Sequence, residues 1–200
     1  MKKLLFLPIL FFGLSLIGQA GYQPGDKVNN FSLMNVDGKM VTMNASDSDI
    51  EGYILIFTCN HCPYSVLYED RIIELDKKFK GQGYPVLAIN PNDPKQYEDD
   101  SFEHMKVRAD EKGFTFPYLV DETQSVASAF GATRTPHVFL VQKVGSDFVL
   151  QYMGAIDDSA RDEEAIEELY VENAINALKN GQKIKENSTK AIGCSIKWKK

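Results

Sequence analysis

The chain has 200 residues, 44% of them hydrophobic and 25% charged. That is enough for one domain with a full hydrophobic core, and too mixed for a disordered or fibrous chain. The formal net charge of −6 argues against nucleic acid or an anionic membrane surface as a partner, since both attract basic patches.

Residues 1–20 read as an export signal. Lys2 and Lys3 give a positive start, Leu4 to Ile17 form an apolar run broken by Pro8, Gly13 and Ser15, and Gly18-Gln19-Ala20 offers small residues for cleavage. The run is short for a bilayer span, so removal is expected rather than retention as an anchor. The expected product is exported, periplasmic or secreted, with no stable membrane span. Its three cysteines, Cys59, Cys62 and Cys194, make one pair and a remainder.

Along the chain, Phe31 to Met34 and Lys39 to Met43 flank Asp37-Gly38, a hairpin signal. Tyr53 to Thr58 is a continuous β-branched and aromatic run, as in a strand buried on both faces. After Pro63, apolar residues Tyr68, Ile72, Leu75 and Phe79 recur at helical spacing, and Gly81 and Gly83 end that element. Tyr84 to Ile89 reads as the next strand. Asp93-Pro94-Lys95-Gln96 predicts a helix start, with Phe102, Met105 and Ala109 on the apolar face and Gly113 at the close. Asp121 with Gln124 predicts a cap for a short helix to Phe130. Val138 to Val141 and Phe148 to Tyr152 form an antiparallel pair, and an amphipathic helix follows from about Asp162 to Lys179. With no repeat or linker, one α/β domain is expected over residues 21–180, with a tail over 181–200. This order gives a mixed central sheet with helices on both faces.

Cys59-Asn60-His61-Cys62 falls at a strand-to-helix junction. Two sulfurs on one helical turn are close enough to bond, and the unpaired N–H groups of the helix start favour a thiolate. On that reasoning Cys59 is the attacking thiol and Cys62 resolves the mixed disulfide. An imidazolium at His61 would favour the thiolate further. Half a zinc site is disfavoured because there is no second CxxC, and a purely structural bridge closing so small a ring would stabilise little. No resident cofactor or metal is expected.

The element order, the CxxC and Thr133-Arg134-Thr135-Pro136-His137 together resemble the thioredoxin fold. The N-terminal hairpin extension and inserted helical segment resemble those of peroxiredoxins and exported TlpA-like reductases. Phe57-Thr58-Cys59-Asn60-His61-Cys62-Pro63, Thr135-Pro136-His137 and the tail Ile192 to Lys199 are similar to one peroxiredoxin-like redoxin branch, over residues from about 25 to 199. The resemblance implies a thiol–disulfide oxidoreductase working on protein or small thiols and disulfides, with an upstream electron donor or acceptor. It implies a cis Pro136 at the start of an edge strand, facing the CxxC, with Thr135 pairing to the backbone of a bound client. Tyr53 stands where thioredoxins carry a buried acid, so proton handling either differs from that of thioredoxins or falls to another carboxylate, which the sequence does not place. A peroxiredoxin site would need a proline and a hydroxyl residue where this chain has Leu55 and Cys59, so peroxide turnover is expected to be weak. A copper chaperone, with His61 and His137 joining the thiols, is the alternative from another class. Cys194 is expected not to be required for basic exchange, as a filler in a tail anchored by Trp198; the alternative is a second resolver that takes the disulfide from Cys62.

Overall fold

The computed structural model describes residues 21–200, so the expected export signal lies outside the described residues. Ten strands and four helices follow in order. The first strands are β1 (Lys27–Val28), β2 (Ser32–Asn35), β3 (Met40–Thr42) and β4 (Gly52–Phe57), leading into α1 (Pro63–Phe79). Then come β5 (Val86–Asn90), α2 (Phe102–Lys112), β6 (Tyr118–Val120), α3 (Ser125–Phe130) and β7 (Arg134–Thr135). The chain closes with β8 (His137–Val144), β9 (Asp147–Gly154), α4 (Tyr170–Lys179) and β10 (Cys194–Ser195).

Eight strands form one sheet in the order β1-β9-β8-β4-β5-β6-β2-β3. Strands β4, β5 and β6 run parallel, and β8 lies antiparallel to β4. All six residues of β4 are buried, because helices cover both faces. Ile54 and Ile56 join a core with Ile72, Leu75 and Phe79 of α1 and Val171, Ala174 and Ile175 of α4. Tyr53, Leu55 and Phe57 point the other way, onto Val126, Ala127 and Phe130 of α3 and the inner strands' opposite face. Each such fully buried side chain is worth about 1.5–3 kcal/mol. This two-sided grip fixes the end of β4, and with it the CxxC turn.

Four local expectations differ from the structure. Asp93 does not open a helix: its carboxylate accepts from Lys95 N–H and its carbonyl from Gln96 N–H, closing a turn on itself. Helix α2 starts later, with Ser101 as its cap, accepting from His104 N–H. The last helix starts at Tyr170 rather than near Asp162. The acidic run Asp162, Glu163, Glu164, Glu167 and Glu168 sets like charges at i,i+4, which disfavours a continuous helix; only one short turn forms over Glu163–Ala165. Pro136 precedes an interior strand instead of an edge strand, since β8 lies between β9 and β4. It sits just outside the ladder, so no interior hydrogen bond is lost. In the tail Ile196 is buried, whereas Trp198 is 41% exposed, so Ile196 is the anchor.

Candidate active site

Strand β4 delivers the chain to Cys59, and α1 begins immediately after Cys62 with Pro63 in its first turn, where a missing N–H costs nothing. The Thr135–Pro136 peptide is cis, and it brings Thr135 against both sulfurs. Thr135 Oγ1 lies 3.2 Å from Cys59 Sγ, and Cys62 Sγ lies 3.1 Å from the Thr135 carbonyl oxygen. Cys59 and Cys62 are 2% and 0% exposed. The structure therefore assembles Cys59, Cys62, Thr135 and Pro136 at one place, from segments more than 70 residues apart in sequence.

His61 joins them from the turn between the two cysteines. Its Nδ1 is 3.7 Å from Cys59 Sγ and 2.5 Å from the buried Oδ2 of Asp100, and its ring stacks on Tyr97 at 3.9 Å. Asp100 also accepts from the backbone N–H of Asn60 at 2.7 Å and from the Asn92 amide at 2.8 Å. Asn60 donates to the Asp99 carbonyl and accepts from the Tyr118 hydroxyl. Sequence reasoning missed Asp100, Tyr97 and Asn92. They lie some 30 to 40 residues after the motif, and no local spacing ties them to it. The one signal was indirect: Tyr53 in place of an acid left either different proton handling or a carboxylate elsewhere. Tyr53 itself lies in the opposite core and accepts from Asn44 N–H.

The two sulfurs differ in charge preference. The Cys62 thiol is pulled down to about 4, chiefly by the hydrogen bond from the Cys59 thiol. The Cys194 thiol and the N–H groups of Ser65 and Cys194 act the same way, against the penalty of burial. Cys59 is pushed up by the same bond, in which it keeps the proton, then by burial and by the Asp100 charge. The helix start was expected to favour a thiolate on Cys59, but here it favours Cys62, because Cys62 directly precedes α1 and faces the Ser65 N–H. His137 is buried, packs on Phe139 and has its pKa lowered to about 4 by burial. Among the described residues, the group able to hold a metal is Cys59, His61 and Asp100, with ligand atoms within 4.8 Å of one another; His137 is not part of it.

A family model for the AhpC/TSA family matches residues 24–149. The chain belongs to the AhpC/TSA family. The topology is that of the thioredoxin fold. Among solved structures, an uncharacterized conserved protein from Geobacillus kaustophilus is 38% identical with a TM-score of 0.79, covering 88% of this chain and 93% of that one. A hypothetical protein from Sinorhizobium meliloti is 30% identical with a TM-score of 0.78, over 90% of this chain and 96% of that one. A curated relative, the thiol-disulfide oxidoreductase ResA of Halalkalibacterium halodurans, is 24% identical over 121 residues, 60% of this chain. The match spans 64% of that relative's length.

Proposed function

We propose that this member of the AhpC/TSA family is an exported thiol–disulfide oxidoreductase. Its Cys59–Cys62 pair exchanges between dithiol and disulfide with protein or small thiol partners and is recharged by a separate donor or acceptor. The observation that carries this reading is the convergence of both sulfurs on Thr135, directly before the cis Pro136. A low-pKa thiolate with a protonated thiol beside it is the arrangement dithiol exchange needs: one sulfur attacks and the other resolves. Cys62 is the sulfur that carries the charge in the reduced pair, and Cys59 holds the proton. His61, clamped between Asp100 and Tyr97, orders the turn that separates them. Relatives named thiol-disulfide oxidoreductase support the same class of reaction. Export is supported by the leading residues 1–20 as read from sequence, and no helix among the described residues is long and apolar enough to cross a membrane.

Peroxide is a poor fit, since Cys59 occupies the place where a hydroxyl residue would orient it. A second reading, metal binding, has one observation in its favour, the cluster of Cys59, His61 and Asp100. Disulfide exchange is favoured because Cys62, the more readily ionised sulfur, stands outside that cluster. The test is turnover of a protein disulfide such as insulin by the full-length protein with a dithiol donor. Wild type is expected to turn over, Cys62→Ser is expected to fall to background, and Cys59→Ser is expected to turn over more slowly than wild type. Equal rates in wild type and both variants would refute the proposal, and tight copper binding by an exchange-inactive wild type would favour the second reading.

A further inference from the structure

The third thiol of the chain lies at the same site. Strand β10 pairs antiparallel with β7, placing Cys194 opposite Thr135 and Ser195 opposite Arg134. The backbone N–H of Cys194 donates to Cys62 Sγ at 3.4 Å. Strand β10 therefore occupies the backbone edge beside the cis-proline, and Cys194 lies where it touches the buried sulfur.

The tail is held there by specific contacts. A Cβ on Gly193 would lie 2.1 Å from the Thr135 carbonyl oxygen, so only glycine permits the approach. Arg134 Nη1 donates to the Gly193 carbonyl at 3.0 Å, and Ile196 N–H donates to the Thr133 carbonyl at 3.2 Å. Beyond it, Gln124 donates to the Lys197 carbonyl at 2.8 Å and accepts from Lys199 N–H at 2.7 Å. Asn92, which also binds Asp100, accepts from Lys197 N–H at 2.9 Å. Cys59 and Cys62 are buried under this cover, while Cys194 is half-buried. It is the sulfur that a large partner reaches first.

We propose that Cys194 is a third redox thiol that exchanges with Cys62 and carries a disulfide between the buried pair and a client protein. The proposal rests on the redox role of the Cys59–Cys62 pair. The Cys194 thiol is pushed up to about 11 by burial and by its bond to Cys62, so in the reducing direction it loses its proton as its sulfur attacks a client disulfide, and the first client sulfur leaves with that proton. The Cys62 thiolate then attacks the Cys194 sulfur. The bond to the client breaks, its second sulfur leaves and takes a proton from solvent, and a Cys62–Cys194 disulfide forms. Cys59 next attacks the Cys62 sulfur, and Cys194 leaves with the Cys59 proton. Two electrons pass from the pair to the client, with one proton from Cys59 and one from solvent because Cys62 starts ionised. Run in reverse, the sequence oxidises a client dithiol.

The contact geometry supports the middle step, and so does chemistry: a thiolate held beside its target disulfide reacts as an intramolecular nucleophile. Cys59→Ser removes the competing partner of Cys62. After mild oxidation with oxidised glutathione, non-reducing peptide mapping of full-length monomer is expected to show a Cys62–Cys194 bridge. Cys194→Ser is expected to retain the mapped Cys59–Cys62 disulfide while insulin reduction falls by about tenfold or more, since the intramolecular step is lost. Absence of the bridge in Cys59→Ser, or insulin reduction by Cys194→Ser at the wild-type rate, overturns the relay. A wild-type protein that never forms Cys59–Cys62 would instead overturn the reading beneath it.

Discussion

The two ends of the Cys59-Asn60-His61-Cys62 turn lie in opposite electrostatic surroundings. The Cys59 end faces the buried carboxylate of Asp100 through His61 and the Asn60 backbone, and the hydroxyls of Thr135 and Ser65 lie within 3.9 Å of its sulfur. The Cys62 end faces N–H groups, from Ser65 at the start of α1 and from Cys194 in the tail. Negative charge is penalised at one sulfur and favoured at the other. The bond between the two thiols, in which Cys59 keeps the proton, makes the cysteines unequal first, and these surroundings add to the difference.

Asp100→Asn breaks the part of that contrast that comes from tertiary folding. The change removes the charge that pushes Cys59 up and leaves fewer acceptor sites for the N–H groups of Asn60, His61 and Asn92. A loss of about 3 kcal/mol in denaturant stability is expected, because buried donors would go unpaired. The Cys59 pKa should move down toward that of Cys62 in a thiolate titration. An unchanged titration would show that Asp100 does not set the difference.

His137 gives a smaller effect with a definite sign. Its folded-state pKa is lowered to about 4 from 6.5, so between those values the unfolded chain binds a proton that the folded chain refuses. Stability from this residue is therefore complete above pH 6.5 and lost as pH falls toward 4. Between pH 6.5 and about 5 the loss is about 2 kcal/mol. His137→Gln should flatten that slope in pH-dependent denaturation; a slope as steep as wild type would assign the loss to other groups. Within the tail the contrast is smaller again. Ile196→Ala should cost about 2–4 kcal/mol because Ile196 is buried in the core. Trp198→Ala, at an exposed position, should cost less than about 0.5 kcal/mol by thermal melting. A larger cost at Trp198 would show that it packs more than its exposure indicates.

These contrasts follow the line between what local pattern reveals and what it hides. The β4 run, the CxxC and the helix face of Tyr68, Ile72 and Leu75 were legible because burial on both faces or on one face leaves a periodic trace. Thr135 and Pro136 were read through the resemblance, and the structure brings Thr135, directly before the cis Pro136, against the sulfurs. Asp100 left no such trace: it is one acid in Glu98-Asp99-Asp100, and only tertiary folding distinguishes the buried member from its solvated neighbours. Asp121 and Gln124 read together as a cap, yet the Gln124 amide binds the Pro91 carbonyl and the tail. Asp121 supplies the capping contact by accepting from Ala127 N–H. The tail itself read as polar, with its largest apolar residue as the obvious anchor. Its pairing with β7 depends on main-chain groups and on the close approach that Gly193 allows, and a composition pattern records neither.

The most direct test of the central claim is residue-resolved mass spectrometry of the full-length protein, alkylated before and after mild reduction. The account predicts that air-oxidised wild type carries a Cys59–Cys62 disulfide, seen as one peptide two hydrogens lighter, and that a dithiol converts it reversibly to two alkylated cysteines. Two free thiols at Cys59 and Cys62 under every oxidising condition would contradict it.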